Sequence, residues 1–158
     1  MTQPSPNPYE RPRAEGSSAL DALDDTELYV QTLPKPIVRM AGTCGIVLGI
    51  LMLFLALRLV IAATGLLASL LEAAHVVVGI GTLIAAHGLW RGSIGRLLLG
   101  LVLAPVALAA CAFATITGSL GGLFGAALAI VTFVLMAMSF GSVTTMAAAR
   151  AALRRRMS

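Results

Sequence analysis

The chain has 158 residues, of which 58% are hydrophobic and 11% are charged, and its formal net charge is +4. A soluble domain carries about 25% charged residues, so a water-soluble fold of this composition could not cover its surface with polar groups. The composition therefore excludes a soluble globular domain and predicts a small integral membrane protein whose helices use lipid as their solvent.

The charges are distributed unevenly along the chain. Six of the seven acidic residues lie in the first 27 positions, whereas nine basic residues and one acid, Glu72, follow from Lys35 onward. Basic residues at the ends of membrane helices account for this positive balance. The net charge therefore gives no support for binding to nucleic acid.

Residues 1–36 are predicted to form a polar, disordered tail, acidic and proline-rich. Four prolines and scattered charges favour disorder over the first 16 residues, and the first apolar run begins near residue 38, too late for a signal peptide.

Residues 17–33 contain leucines at loose helical spacing among acidic residues. This segment is either a helix that docks a partner protein or a solvated acidic segment with transient helix. We favour the second interpretation.

Four apolar segments are long enough to cross a bilayer, which requires about 20 helical residues. Their limits follow from the charges, glycines and prolines that interrupt them, and lie at residues 38–60, 69–90, 96–116 and 123–145. We expect an all-α membrane domain over residues 37–147, with the four helices arranged as two antiparallel hairpins. A basic cytoplasmic tail at residues 148–158 completes the predicted organisation.

Three glycines lie on or near one face of the first predicted span: Gly42, Gly45 and Gly49. The last two form a GxxxG pattern, which permits close approach between helix backbones. We interpret the pattern as helix packing within the chain. Homodimerisation through the same face is the alternative.

The stretch from His87 to Arg96 interrupts the apolar sequence and separates the two predicted hairpins. It contains the only tryptophan of the chain, and basic residues cluster here and at the matching ends of the other spans. The predicted interface anchors are Arg39, Trp90, Arg91, Arg96 and Arg150. The positive-inside rule places these residues and both termini in the cytoplasm.

A turn is expected at Gly65, on the side of the membrane opposite to the cytoplasm. Arg58 and Glu72 are each seven residues from Gly65. Both charges mark the outer interface in one interpretation. In the other, the helices tilt and the charges lie below the surface, where they must neutralise each other. We favour the first, and both predict that the two side chains pair. His75 shares a helix face with Glu72, so Arg58, Glu72 and His75 form the candidate polar site.

The sequence offers little for catalysis or metal binding. His75 and His87 lie on one predicted helix about 18 Å apart along its axis, so they cannot ligate one iron. Cys44 and Cys111 are expected about 8 Å and about 22 Å from the cytoplasmic face, too far apart for a disulfide. Neither a phosphate-binding loop nor a Ser-His-Asp set can be assembled. We therefore expect no enzymatic activity, no metal and no cofactor.

The turn region also resembles a known group of proteins. The resemblance lies in Ala86-His-Gly-Leu-Trp-Arg-Gly-Ser-Ile-Gly-Arg96 and the following Leu97-Leu-Leu-Gly-Leu-Val-Leu. It is similar to a motif of small four-helix bacterial membrane proteins of unknown function, whose second helix ends in Gly-Leu-Trp before a short basic turn. The resemblance covers roughly residues 37–147 and implies the same four-span plan. The chain departs from the motif at Ile94 and Gly95, where a second tryptophan and an alanine are expected.

Two functions agree with these observations. The first is a non-enzymatic accessory or scaffold subunit of the bacterial cytoplasmic (inner) membrane, which acts through partners. Those partners are the lipid bilayer, a protein bound through residues 17–33, or further copies of the chain. The alternative is a small oligomeric transporter or channel that uses Glu72 and His75, because ionisable groups within a membrane are functional candidates.

Overall fold

Helices joined by short turns make up the part of the chain that the structure describes, and it contains no strand. The computed structural model describes residue 20 and residues 23–62, 66–116 and 119–157, without side chains at 59–68. The helices are α1 (Asp25–Gln31), α2 (Pro36–Ala62), α3 (Leu66–Trp90), α4 (Ile94–Ile116), α5 (Leu120–Met138) and α6 (Phe140–Met157). The predictions for the first 16 residues and for a turn at Gly65 fall outside the described residues.

Four of these helices, α2 to α5, are long and apolar enough to cross a membrane. They contain between 19 and 27 residues, which corresponds to about 29–41 Å of helix against a hydrocarbon core of about 30 Å. The prediction of an all-α, multi-pass membrane protein is therefore confirmed.

Small residues bring α2 and α3 into close contact. Gly45 faces Ala86, and Gly49 faces Gly79 and Leu83. A Cβ atom at Gly49 would lie 2.9 Å from the carbonyl oxygen of Gly79 and 2.7 Å from Cγ of Leu83. There is thus no room for a side chain at Gly49, and the glycines allow the two backbones to approach within one chain.

Two buried clusters fill the space between the helices. The cluster in the middle of the bundle comprises Leu48, Met52, Leu55, Val78, Ala107, Cys111 and Ala129. The second cluster lies at the end of the bundle near the α3–α4 turn and comprises Val38, Ala41, Leu89, Leu97, Met136, Val143 and Met146. Because Val143 and Met146 belong to α6, that helix covers the end of the bundle and contributes to its core.

A single residue, Ser139, separates α5 from α6. Its hydroxyl donates to the carbonyl oxygen of Leu135 at 2.7 Å, and its backbone N–H is shared between the carbonyls of Leu135 and Met136. Such bonding of a serine to the preceding turn tends to bend helices. The fourth apolar helix, predicted over residues 123–145, therefore ends at Met138, and residues 148–157 of the predicted basic tail belong to α6.

The close approach at Gly49 generates a prediction with a matched control. Gly49→Ala should lower the free energy of unfolding by about 1–3 kcal/mol, because the methyl group overpacks the α2–α3 contact. Gly141→Ala, in α6, adds the same methyl group where nothing lies within 4 Å. It should stabilise the protein by about 0.5–1 kcal/mol through helix propensity. Unfolding of both variants in one detergent measures the difference, and equal effects would contradict the packing.

Candidate functional site

Helix α3 ends in a Schellman motif at the predicted turn. The N–H of Ser93 donates to the carbonyl oxygen of Gly88 at 3.1 Å, and the N–H of Gly92 donates to that of Leu89 at 2.9 Å. Gly92 has a φ of +59°, a left-handed conformation that glycine adopts without strain. The motif leaves the carbonyl oxygen of Arg91 at the carboxyl end of α3, available to a donor from another element.

Arg150 on α6 supplies that donor and connects three parts of the chain. Its Nη1 donates to the carbonyl oxygen of Arg91, and its Nη2 donates at 3.1 Å to the carbonyl oxygen of Thr32, the C-cap of α1. A cation is favoured at the carboxyl end of a helix, and one half-buried guanidinium here serves two such ends. Arg150, predicted as an interface anchor, thus also holds α1 and α3 to α6.

Helix α1 is docked on α6. A capping box closes its first turn: the N–H of Glu27 donates to Oδ1 of Asp24 at 2.7 Å, and the N–H of Asp24 donates to Oε2 of Glu27 at 3.3 Å. Leu28 is fully buried in a cluster with Ala149 and Ala152 of α6.

For the described residues from 23 onward, this docking corrects the favoured interpretation of residues 17–33 as a solvated segment with transient helix, and the prediction that the tail is disordered there. Over residues 25–31 the chain is an ordered helix. A helix of this length has little stability of its own. The burial of Leu28 against α6 supplies the stabilisation that the local sequence lacks.

An ion pair reinforces the docking at the surface. Nη1 of Arg156 lies 2.8 Å from Oδ1 of Asp25, and Nη2 of Arg156 donates to the carbonyl oxygen of Leu23 at 3.0 Å. The Asp25 side chain is 76% exposed and that of Arg156 is 34% exposed. At such exposure an ion pair contributes about 0–1 kcal/mol. We refer to α1, α6 and the turn at residues 91–93 as the helical cap.

The other predicted anchors lie at the same end of the bundle as the helical cap. The indole ring of Trp90 packs against Gly42, where a Cβ atom would lie 3.0 Å from Cδ1 of the ring. Arg39 and Arg91 are exposed, and Arg96 is half-buried. This combination of an amphipathic ring with exposed cations is typical of a membrane–water interface.

Arg58 and Glu72 lie toward the opposite end and do not form the predicted ion pair. Within the described part of the chain, no ion pair involves either residue. Arg58 is exposed and lies one turn after Phe54, which is also exposed. Glu72 is half-buried and lies one turn before the fully buried His75. Arg58 therefore lies on the outward face of α2, whereas Glu72 lies on the side of α3 that turns toward the core.

His75 is the most unusual polar side chain of the bundle. Its Nδ1 lies 2.7 Å from the carbonyl oxygen of Leu71, and a hydrogen bond there requires the proton on Nδ1 and leaves Nε2 as an acceptor. Nε2 is buried and has no hydrogen-bond partner in the described structure. A buried acceptor without a partner costs about 1–3 kcal/mol.

The other buried polar groups named here do not connect His75 to a hydrogen-bonded network. The hydroxyl of Thr82 donates to the carbonyl of Val78 at 2.7 Å, within its own helix. The hydroxyl of Ser139 lies 2.7 Å from the carbonyl oxygen of Leu135 and 3.4 Å from that of Ile37 in α2. The hydroxyl of Thr132 is buried without a partner among the described residues. The hydrogen bonds of His75, Thr82 and Ser139 therefore run to backbone carbonyl oxygens.

The described residues contain no group of three or more His, Cys, Asp or Glu side chains that could hold a metal ion. Cys44 and Cys111 are both free thiols. Sγ of the buried Cys111 lies 3.5 Å from Sδ of Met52, a packing contact in the central cluster. Neither cysteine contributes to the helical cap or to the surroundings of Glu72.

No protein-family model matches the chain, and no curated protein or solved structure is significantly similar to it. The resemblance of residues 86–103 to four-helix bacterial membrane proteins therefore stays a prediction from the sequence. Two places in the molecule carry features that bear on function: the helical cap at one end, and Glu72 with His75 toward the other.

The bridging role of Arg150 can be tested against a neighbouring arginine. Arg150→Gln should lower the free energy of unfolding by about 1–3 kcal/mol, because two hydrogen bonds from a charged group are lost. Amide hydrogen exchange should accelerate most in residues 25–33. Arg154→Gln removes the same charge from an exposed position one turn later and should change stability by less than about 0.5 kcal/mol. Equal exchange in the two variants would contradict the bridge.

Proposed function

We propose that this protein is a non-enzymatic accessory or scaffold subunit of the bacterial cytoplasmic membrane, which acts by presenting the helical cap to a partner. The supporting observation is the order of the cap: Arg150 connects three chain segments, and Leu28 is buried between two helices. A preformed cytoplasmic surface binds a partner at a lower entropic cost than a disordered tail does.

The proposed topology is two antiparallel hairpins with both termini in the cytoplasm. Between α2 and α3, Gly45 contacts Ala86 and Gly49 contacts Gly79, so residue numbers rise along one helix as they fall along the other. The contacts between α4 and α5, Gly100 with Met136 and Gly125 with Cys111, show the same antiparallel order. Basic side chains support the orientation, since the end with the helical cap carries Lys35, Arg39, Arg91, Arg96, Arg150, Arg154, Arg155 and Arg156. Arg58 is the only basic side chain toward the opposite end of the described chain.

The charge of the cap indicates the chemistry of the partner. Eight basic residues accompany three acidic ones, Asp24, Asp25 and Glu27, among the described residues at this end. The final turns of α6 expose Arg154 and Arg155 to the cytoplasm in the proposed orientation. A partner with an acidic surface is favoured, because complementary charge accelerates association and suppresses wrong contacts.

Two adjacent alanines of α6 allow a matched test. Ala149 is fully buried against α1, whereas Ala148 is exposed. Ala149→Asp should release α1 and reduce the recovery of cross-linked partners from native membranes severalfold, because a buried charge is strongly disfavoured. Ala148→Asp introduces the same charge and should retain partner recovery. Mass spectrometry of the cross-linked products identifies the partners, and an undiminished set with Ala149→Asp would refute the role of the cap.

A second candidate function, a small oligomeric transporter or channel, is favoured by one observation. Nε2 of His75 is a buried acceptor without a described partner, and Glu72 lies on the same helix face. Glu72 also lacks an ion pair with Arg58 among the described residues. An unpaired carboxylate within a membrane segment is better suited to exchange protons than one neutralised by arginine.

Proton flux into liposomes tests this second candidate. Glu72→Gln should reduce the flux of the reconstituted protein to the level of empty liposomes, since the amide cannot exchange a proton. Glu27→Gln alters an exposed carboxylate of the cap, and glutamine preserves its capping role. This control should leave the flux unchanged. Equal flux in the parent protein and in Glu72→Gln would exclude the transporter hypothesis.

A further inference from the structure

Apolar side chains of α1 and of the residues that follow it are uncovered away from Leu28. Tyr29, Val30 and Leu33 are 61%, 58% and 45% exposed, respectively, although Leu28 beside them is fully buried. At 100° per residue, Tyr29 and Val30 lie about 100° and about 200° around α1 from Leu28. Leu33 follows the C-cap Thr32, just beyond the end of α1. The contact with α6 accounts for the burial of Leu28, and it leaves Tyr29, Val30 and Leu33 uncovered.

The position of α1 restricts what can cover these side chains. Arg150 donates to the carbonyl oxygens of both Thr32 and Arg91, so these oxygens lie within about 8 Å of each other, the span of one guanidinium with two hydrogen bonds. Arg91 directly follows Trp90 at the end of a membrane-spanning helix. The carboxyl end of α1 is thereby held at the level where the apolar bundle ends.

The exposed apolar face also continues into a surface that contacts lipid. Leu33 lies three residues before the start of α2, and Met40, in the second turn of α2, is exposed. Further along α2, Phe54 extends the exposed apolar surface into the membrane span. Two exposed cations, Lys35 and Arg39, lie between Leu33 and Met40, at the depth where basic side chains reach phosphate groups.

We propose that α1 lies in the plane of the membrane interface, with Tyr29, Val30 and Leu33 inserted into the cytoplasmic leaflet and Leu28 packed on α6. The partner of this face is the bilayer, at the boundary of anionic headgroups and acyl chains, about 5–10 Å below the surface. Continuity with the lipid-contacting surface of α2 favours lipid over a second copy of the chain. The inference rests on the proposed cytoplasmic orientation only for the choice of leaflet, and it needs no partner protein.

Spin-label accessibility tests this placement in the full-length protein. A label at Val30→Cys, in a Cys44→Ala background, is measured in liposomes of phosphatidylethanolamine and phosphatidylglycerol, with Tyr29→Cys as an independent second position. Phe54→Cys provides the lipid-exposed reference and Met157→Cys, at the end of α6, the water-exposed one. Circular dichroism and elution volume confirm that each labelled protein is folded.

The placement predicts high accessibility to oxygen and low accessibility to a water-soluble nickel complex. At Val30→Cys, oxygen accessibility should be within about twofold of the Phe54→Cys value, and nickel accessibility at least about threefold below that of Met157→Cys, as for side chains inserted in the interface. High nickel accessibility would place the face in water. Low accessibility to both probes would place it against protein. Either of these two results overturns the proposal, whatever the partner experiments with Ala149→Asp show.

Discussion

The order of the helical cap depends on one half-buried guanidinium group. Arg150 donates to the last carbonyl oxygens of α1 and α3, where each helix presents acceptors that its own backbone cannot satisfy and where its dipole favours a cation. Helix α1, with seven residues, is too short to persist alone. Its position follows from this bridge together with the burial of Leu28, while the exposed ion pair of Asp25 adds little.

The two ends of the molecule differ in physical character. The cap end combines exposed cations, ordered turns and a docked amphipathic segment, features suited to contact with a membrane surface and a partner. Toward the other end lie Glu72, half-buried, and His75, fully buried with Nε2 unpartnered among the described residues. The buried side chains of Thr82 and Ser139 bond to backbone carbonyl oxygens, and the Thr132 hydroxyl has no partner among the described residues. Scaffold and transport functions would therefore use different regions, which variants can separate.

The sequence predicted the four apolar helices, because segment length and hydropathy depend on composition alone. It did not predict where the fourth helix ends, since a serine within an apolar run gives no indication of the turn to which it will bond. The docking of α1 was missed, although Asp24 and Glu27 have the spacing of a capping box. Counting residues from the expected turn placed Arg58 and Glu72 at the same depth in the membrane. It could not show that their side chains lie on helix faces that do not meet. The face of α2 that turns outward, where Phe54 and Arg58 lie, is set by packing against the other helices.

Cysteine cross-linking in native membranes measures the docking of α1 on α6, on which the helical cap depends. Leu28→Cys combined with Ala152→Cys joins two members of one buried cluster, and a short bifunctional reagent should cross-link them efficiently. Tyr29→Cys combined with Ala152→Cys displaces one thiol by a single residue, onto the exposed face of α1, and should react far less. Equal yields from the two pairs, or no product from the first, would contradict the docked cap.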